Sequence, residues 1–153
     1  MRSSKTSAAG PSSLILLVDD NNMGLAARRA VLEELGHTVV TAVNGVEAFA
    51  LAQQQGFDLV ITDWKMPKMN GIELIRNLRE MGYAKPIVLL SGFAHHAGMS
   101  EEATGADAVV QKSANEVQVL VSTVKRMLNR KAPKKGPAPA SSPAAKAARN
   151  KAV

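Results

Sequence analysis

Five short, almost wholly apolar runs punctuate the chain at regular intervals, and each leads into a stretch of helical spacing. The runs are Leu14–Val18, Thr38–Ala42, Phe57–Asp63, Pro86–Ser91 and Ala106–Gln111. Runs this short and this apolar read as strands buried on both faces. Between them Leu25, Leu32 and Leu35, then Val46, Phe49 and Ala50, then Ile72, Leu74, Ile75 and Leu78 recur as amphipathic helices would require. Asn21 or Asn22 can cap the first helix and Gly36 stops it. A weaker helix is expected over Met99–Thr104 and ends at Gly105. The last helix is expected from Ser113 to about Arg130, with an apolar stripe of Val117, Leu120, Val121, Val124 and Leu128. Ser113-Ala114-Asn115-Glu116 reads as its capping box. Buried strands alternating with helices imply an α/β fold, a five-stranded parallel sheet covered on both faces and joined by right-handed crossovers.

All strands of such a sheet point their carboxyl ends at one edge, where open α/β sheets bind ligands. The polar residues there are Asp19 and Asp20 after the first run, Asp63 after the third, Ser91 after the fourth and Lys112 after the fifth. Singly, each has a plain reading: Asp19-Asp20 as a helix cap, Asp63 as a turn residue, Ser91 as a strand-end hydroxyl, Lys112 as a solvated charge. Convergence at one edge favours a site. Three carboxylates repel one another, and a divalent cation supplies the missing charge. All-oxygen ligation favours a hard ion, and Mg²⁺ accepts few protein ligands because it keeps waters and takes phosphate oxygens. With the repulsion screened, Asp63 can attack a phosphoryl donor and form an acyl phosphate, with Lys112 and the Ser91 hydroxyl bonding the other phosphate oxygens.

The net charge of +6 does not describe this region. Between Leu14 and Asn129, ten Lys and Arg stand against all thirteen Asp and Glu, a net −3. Arg2 and Lys5 precede it, and Arg130, Lys131, Lys134, Lys135, Lys146, Arg149 and Lys151 follow. The expected organisation is a disordered segment over 1–13, a domain over 14–130 and a disordered basic Ala/Pro/Lys tail over 131–153. With Phe49, Phe57, Trp64, Tyr83 and Phe93 as its only aromatic residues, the chain offers little for stacking bases. It has no cysteine, so disulfides and thiolate metal sites are excluded. The run after the basic N-terminus is too short for a signal or a membrane span, so no membrane insertion and a cytoplasmic location are expected. His95-His96 reads as solvated, and the Met residues as gap-fillers.

Leu17-Val18-Asp19-Asp20, Asp63-Trp64-Lys65-Met66-Pro67-Lys68-Met69-Asn70-Gly71, Ser91 and Lys112 together resemble the receiver domain of bacterial two-component response regulators, most of all stand-alone chemotaxis-type members. The resemblance covers about Leu14 to Asn129. It implies a flavodoxin-like (βα)5 fold and a phosphorelay in which Asp63 accepts a phosphoryl group from a histidine kinase. It further implies Mg²⁺ held by Asp19, Asp20, Asp63 and the Lys65 backbone carbonyl, with Ser91 and Lys112 binding the phosphoryl group. Such a module catalyses only its own phosphorylation and dephosphorylation, and signals by binding a downstream protein through its last two helices and fifth strand. Lys65 and Phe93 occupy positions that influence acyl-phosphate lifetime in the family. Two departures stand out. Val109 replaces the aromatic rotamer switch common on strand five, and Ser113 replaces the proline that usually follows the lysine. A cis bond without proline costs about 2.5–4 kcal/mol, so a trans Lys112–Ser113 bond is expected, with Ser113 as helix cap.

Other functions fit less well. A dehalogenase-type phosphatase places two aspartates one residue apart, whereas Asp19 and Asp20 are adjacent and followed by Asn21-Asn22, leaving no general acid. A nucleotide carrier would not meet phosphate with a double aspartate. No helix-turn-helix follows the domain, so sequence-specific DNA binding is not expected, although the tail could make weak, salt-sensitive contacts with anionic partners.

Overall fold

The computed structural model of the chain describes residues 12–92 and 101–129. The basic tail, residues 1–11, Phe93, His95 and His96 lie outside the described residues, as does the expected helix start at Met99. Ten elements follow in strict alternation: β1 (Leu14–Val18), α1 (Asn22–Glu34), β2 (Thr38–Ala42), α2 (Gly45–Gln54), β3 (Leu59–Asp63), α3 (Gly71–Glu80), β4 (Ile87–Ser91), α4 (Glu101–Thr104), β5 (Ala108–Gln111) and α5 (Glu116–Asn129). The strands form one parallel sheet in the order β2-β1-β3-β4-β5. This is the doubly wound, flavodoxin-like architecture read from the sequence.

Alternation along each strand divides the core in two. Ile15, Leu17, Leu59, Ile61, Val88, Leu90, Ala108 and Val110 pack with Leu25 and Leu32 of α1 and with Leu120, Val124 and Met127 of α5. Leu16, Val18, Val60, Ile87 and Leu89 pack on the other side with Ala48 and Ala52 of α2 and Leu74, Ile75 and Leu78 of α3. Each fully buried Leu or Ile contributes about 1.5–3 kcal/mol relative to exposure, and near-continuous apolar strands are the consequence of having two faces to cover.

Asparagine starts three helices. Asn21, Asn44 and Asn70 each accept from a backbone N–H one turn on, at 2.8–2.9 Å. At Asn70 the box closes, because Glu73 Oε1 accepts from the Asn70 N–H at 3.0 Å. α5 departs from expectation. It begins at Glu116 rather than Ser113, and Ser113 Oγ accepts from the Asn115 N–H at 3.3 Å within a turn, so the expected Ser113–Glu116 capping box does not form. The Glu116 carboxylate instead pairs with Arg28. That contact puts position 116 on the inward side and moves the buried stripe to Leu120, Thr123, Val124 and Met127, leaving Val117 48% exposed. α2 departs likewise, burying Gly45, Ala48 and Ala52 while Val46 is exposed, because a small-residue face lets it approach closely. No described peptide bond is cis, so Lys112–Ser113 is trans as expected.

Two glycines allow the closest approaches. A Cβ on Gly71 would lie 2.2 Å from the Asp63 carbonyl oxygen, and one on Gly45 would lie 2.4 Å from the Met69 carbonyl oxygen. Both obstacles are backbone, which cannot rotate away. Gly71→Ala should therefore lower unfolding stability by about 1–3 kcal/mol in urea titration, while Gly56→Ala, with nothing within 4 Å of its added carbon, should be near neutral. Equal midpoints for the two variants would contradict this account.

Candidate functional site

β1 and β3 are neighbours, yet the chain leaves β1 for one side of the sheet and returns through β3 to the other. The crevice beyond their carboxyl ends is the switch point of the fold, and Asp19, Asp20 and Asp63 all stand there. One carboxylate oxygen from each lies within 4.8 Å of the others. Asp19 is 1% exposed and Asp63 6%, whereas Asp20 is exposed. This donor set is all oxygen, carries up to three negative charges and has one solvent-facing member, which suits a hard divalent cation.

Two cations already answer part of that charge. Lys112 Nζ lies 2.5 Å from Asp63 Oδ1. The Lys112 backbone N–H donates to the Ser91 carbonyl at 2.9 Å, tying the ends of β4 and β5 together. Ser91 is 1% exposed at the end of β4, one residue past Leu90, the register partner of Asp63. On the other flank, Asp19 Oδ1 accepts from the Asn21 N–H at 2.9 Å and Oδ2 from Arg28 Nη1 at 2.5 Å. Arg28 is itself buried and donates through Nε to Glu116. Burial opposes its charge, but its bonds to Glu116 and Asp19 more than offset that, holding its pKa above the ordinary value.

Arg28 is the residue that sequence reasoning missed. It falls three after Leu25 and four before Leu32, on the inward stripe of α1, and a lone basic residue on an apolar stripe was the signal. Asp19, Asp20, Asp63, Ser91 and Lys112, the residues expected from the sequence at the carboxyl edge, all lie there. Lys65 lies in the loop after β3, with its ammonium 5.0 Å from the Trp64 ring centroid. That loop is fixed at both ends: Trp64 N–H donates to Leu90 O at 2.9 Å, and Gly71 N–H to Trp64 O at 2.7 Å. Between them Lys68 sits at φ 72, inside a three-residue turn closed by Met69 N–H to Pro67 O at 2.7 Å. A non-glycine residue there is strained. Val109 is half-buried and packs on the side of the sheet that carries α2 and α3.

A parallel sheet in this order, with an aspartate cluster, a hydroxyl and a lysine at its carboxyl edge, defines a flavodoxin-like receiver module. The chain belongs to the response regulator receiver domain family, whose model matches residues 15–125. It is 34% identical over 115 residues to the response regulator receiver protein CpdR of Brucella abortus, covering 75% of this chain and 95% of the relative. It is also 34% identical over 119 residues to a gliding motility regulatory protein of Myxococcus xanthus, covering 74% of this chain but only 15% of that longer protein. Among solved structures, the response regulator protein TrrA of Thermotoga maritima, in complex with Mg²⁺-BeF, is 34% identical with a TM-score of 0.69, covering 76% of this chain and 99% of that one. The chain is thus a phosphoacceptor signalling module of a two-component system, and no helix among its described residues is long and apolar enough to cross a membrane.

Burial raises the Asp63 pKa above its ordinary value, with Asp19 adding to the rise, and the hydrogen bond and charge of Lys112 reduce it without cancelling it. The folded state therefore binds this proton more tightly than the unfolded chain does. The associated stability is fully present below the unfolded value of 3.8 and is lost as pH rises through the folded value. Ionised Asp63 costs stability at neutral pH. Asp63→Asn, neutral throughout, should raise the urea midpoint at about pH 7.5, and the gain should shrink as pH falls toward about 4. An unchanged midpoint at neutral pH would show that Lys112 fully compensates the charge.

Proposed function

We propose that Asp63 is the phosphoacceptor, that Asp19, Asp20 and Asp63 hold Mg²⁺ with the Lys65 backbone carbonyl, and that Ser91 and Lys112 bind the phosphoryl group. The observation that carries this reading is the Asp63 carboxylate, buried to 6% exposure, within 4.8 Å of two other carboxylates and 2.5 Å from the Lys112 ammonium. A carboxylate so placed is only partly neutralised and keeps its small exposed surface at the carboxyl edge of the sheet, the side from which a phosphoryl donor would approach. When bound, the cation neutralises the carboxylates and the phosphate oxygens that would otherwise repel them.

Receiver domains interact with histidine kinases, and phosphohistidine is the donor this site suits. An Asp63 oxygen attacks phosphorus, the phosphorus–nitrogen bond breaks, and the imidazole nitrogen retains the electron pair. Lys112 follows the charge from the carboxylate to the new phosphoryl oxygens, and the Ser91 hydroxyl donates to another. Water later cleaves the acyl phosphate and restores the carboxylate, so the module catalyses only its own phosphorylation and dephosphorylation. Output is phosphorylation-dependent binding of a downstream protein. The cytoplasm, where kinases have ATP, is the compartment this reading requires.

Acetyl phosphate with Mg²⁺ should add one phosphoryl group by intact-mass spectrometry. Asp63→Asn and chelation with EDTA should each abolish the adduct, and Lys112→Ala should slow its formation at least about tenfold. An unchanged mass, under conditions that label a control receiver, would sink the assignment.

A further inference from the structure

Among the described residues, Arg28 is the one buried charge at this edge to which the proposed phosphotransfer assigns no role. Its guanidinium bridges two elements, donating to Asp19 Oδ2 at 2.5 Å and, through Nε, to Glu116 in the first turn of α5. The side chains of all three are largely withdrawn from water, with exposures of 10% for Arg28, 1% for Asp19 and 14% for Glu116. Packing confines it further, since a Cβ on Gly24 would meet Arg28 Nη1 at 3.0 Å and Asp19 Oδ2 at 3.1 Å. A resident cation is thus wedged against one of the three carboxylates that face one another.

From this geometry we infer that Arg28 is a positioning residue, a built-in counter-ion that competes with the divalent cation for Asp19 and couples occupancy of the cation site to the start of α5 through Glu116. The inference rests on the reading that Asp19, Asp20 and Asp63 hold the metal. Its physical basis is reciprocal. Like charges repel most strongly where water is excluded, so Arg28 weakens cation binding and a bound cation weakens the Arg28–Asp19 bond. Glu116 sets the balance, because it is the second acceptor toward which the guanidinium is drawn when Asp19 turns to the metal. Glu116 lies four residues after Lys112, whose ammonium pairs with Asp63. Both flanks of the acidic cluster therefore connect to the same short segment entering α5. The connection does not pass through Val109, which packs on the opposite face of the sheet.

The test is Mg²⁺ affinity, read by isothermal titration calorimetry at about 150 mM salt, which screens direct charge effects between exposed and distant groups. Arg28→Met keeps length and apolar contact but removes the charge, and should bind Mg²⁺ about tenfold more tightly. Glu116→Gln leaves Arg28 to Asp19 alone and should bind about threefold more weakly. In the double variant the effect of Glu116→Gln should largely vanish, since Glu116 acts through Arg28. Equal or weaker binding by Arg28→Met would overturn the inference and make Arg28 a purely structural strut. Should Arg28→Met fail to fold, Glu116→Gln decides alone: weaker binding sustains the inference, and unchanged or tighter binding overturns it. If the wild-type chain bound no Mg²⁺, the metal assignment would fall and the inference with it. Binding that is present but indifferent to position 28 would fell only the inference.

Discussion

The arrangement at the carboxyl edge depends on an electrostatic imbalance at the switch point. Two nearly inaccessible carboxylates, Asp19 and Asp63, are held close to a third, Asp20, by strands that the apolar core fixes in register. Lys112 on one side and Arg28 on the other answer part of the charge. The remainder shows in the Asp63 proton affinity, which stays raised despite the adjacent ammonium. A fold carries such a cost only when its core is secure, and here two apolar layers with fully buried Leu and Ile on both faces of the sheet provide the margin. The site is unfavourable as it stands, and a divalent cation bound there would relieve it.

Much of this was legible in the residues because it follows from strand direction. Once five apolar runs are read as parallel, Asp19, Asp20, Asp63, Ser91 and Lys112 must share an edge, however far apart they lie in the chain. The helix start at Asn21 was similarly local, a side chain reaching a backbone N–H one turn on. What was not legible depends on contacts between distant elements. Glu116 satisfies the spacing of a capping box, yet its carboxylate goes to Arg28, 88 residues away. A tertiary ion pair outcompeted a local cap, rotating the buried stripe of α5. Arg28 itself was hidden by the ordinary expectation that a charged residue on a helix faces water. The strained turn at Lys68 had no residue signal either, since glycine or asparagine is the usual marker of positive φ.

The loop after β3 shows why that strain is tolerated. Trp64 continues the ladder to Leu90, Gly71 closes back onto Trp64, and the Gly45 N–H donates to the Met69 carbonyl at 3.2 Å. With both ends and the middle pinned, a single residue at positive φ is overdetermined by its surroundings. The two glycines with the tightest approaches, Gly45 and Gly71, are those that let this loop press against the sheet and α2. Asp63 is consequently held from behind by its own carbonyl, which Gly71 crowds and the Thr62 hydroxyl bonds at 2.9 Å. Its carboxylate is thereby aimed by backbone contacts, not by side-chain partners alone.

Placement on the two faces also bears on how occupancy of the site reaches the rest of the molecule. Val109 sits with α2 and α3, and an aliphatic side chain there has no second rotamer that would swing a ring between buried and exposed positions. Asp19, Arg28 and Glu116 lie on the other face, where α1 and α5 meet over β1 and β5. Of these contacts, only the ion pairs can respond strongly to a change of charge at the edge, because apolar packing is indifferent to it. A guanidinium shared between a buried and a partly buried carboxylate is sensitive to the charge of both: were one partner neutralised by a cation, the attraction to the other would dominate. The charge that makes the site costly to build is therefore also what connects it to α5.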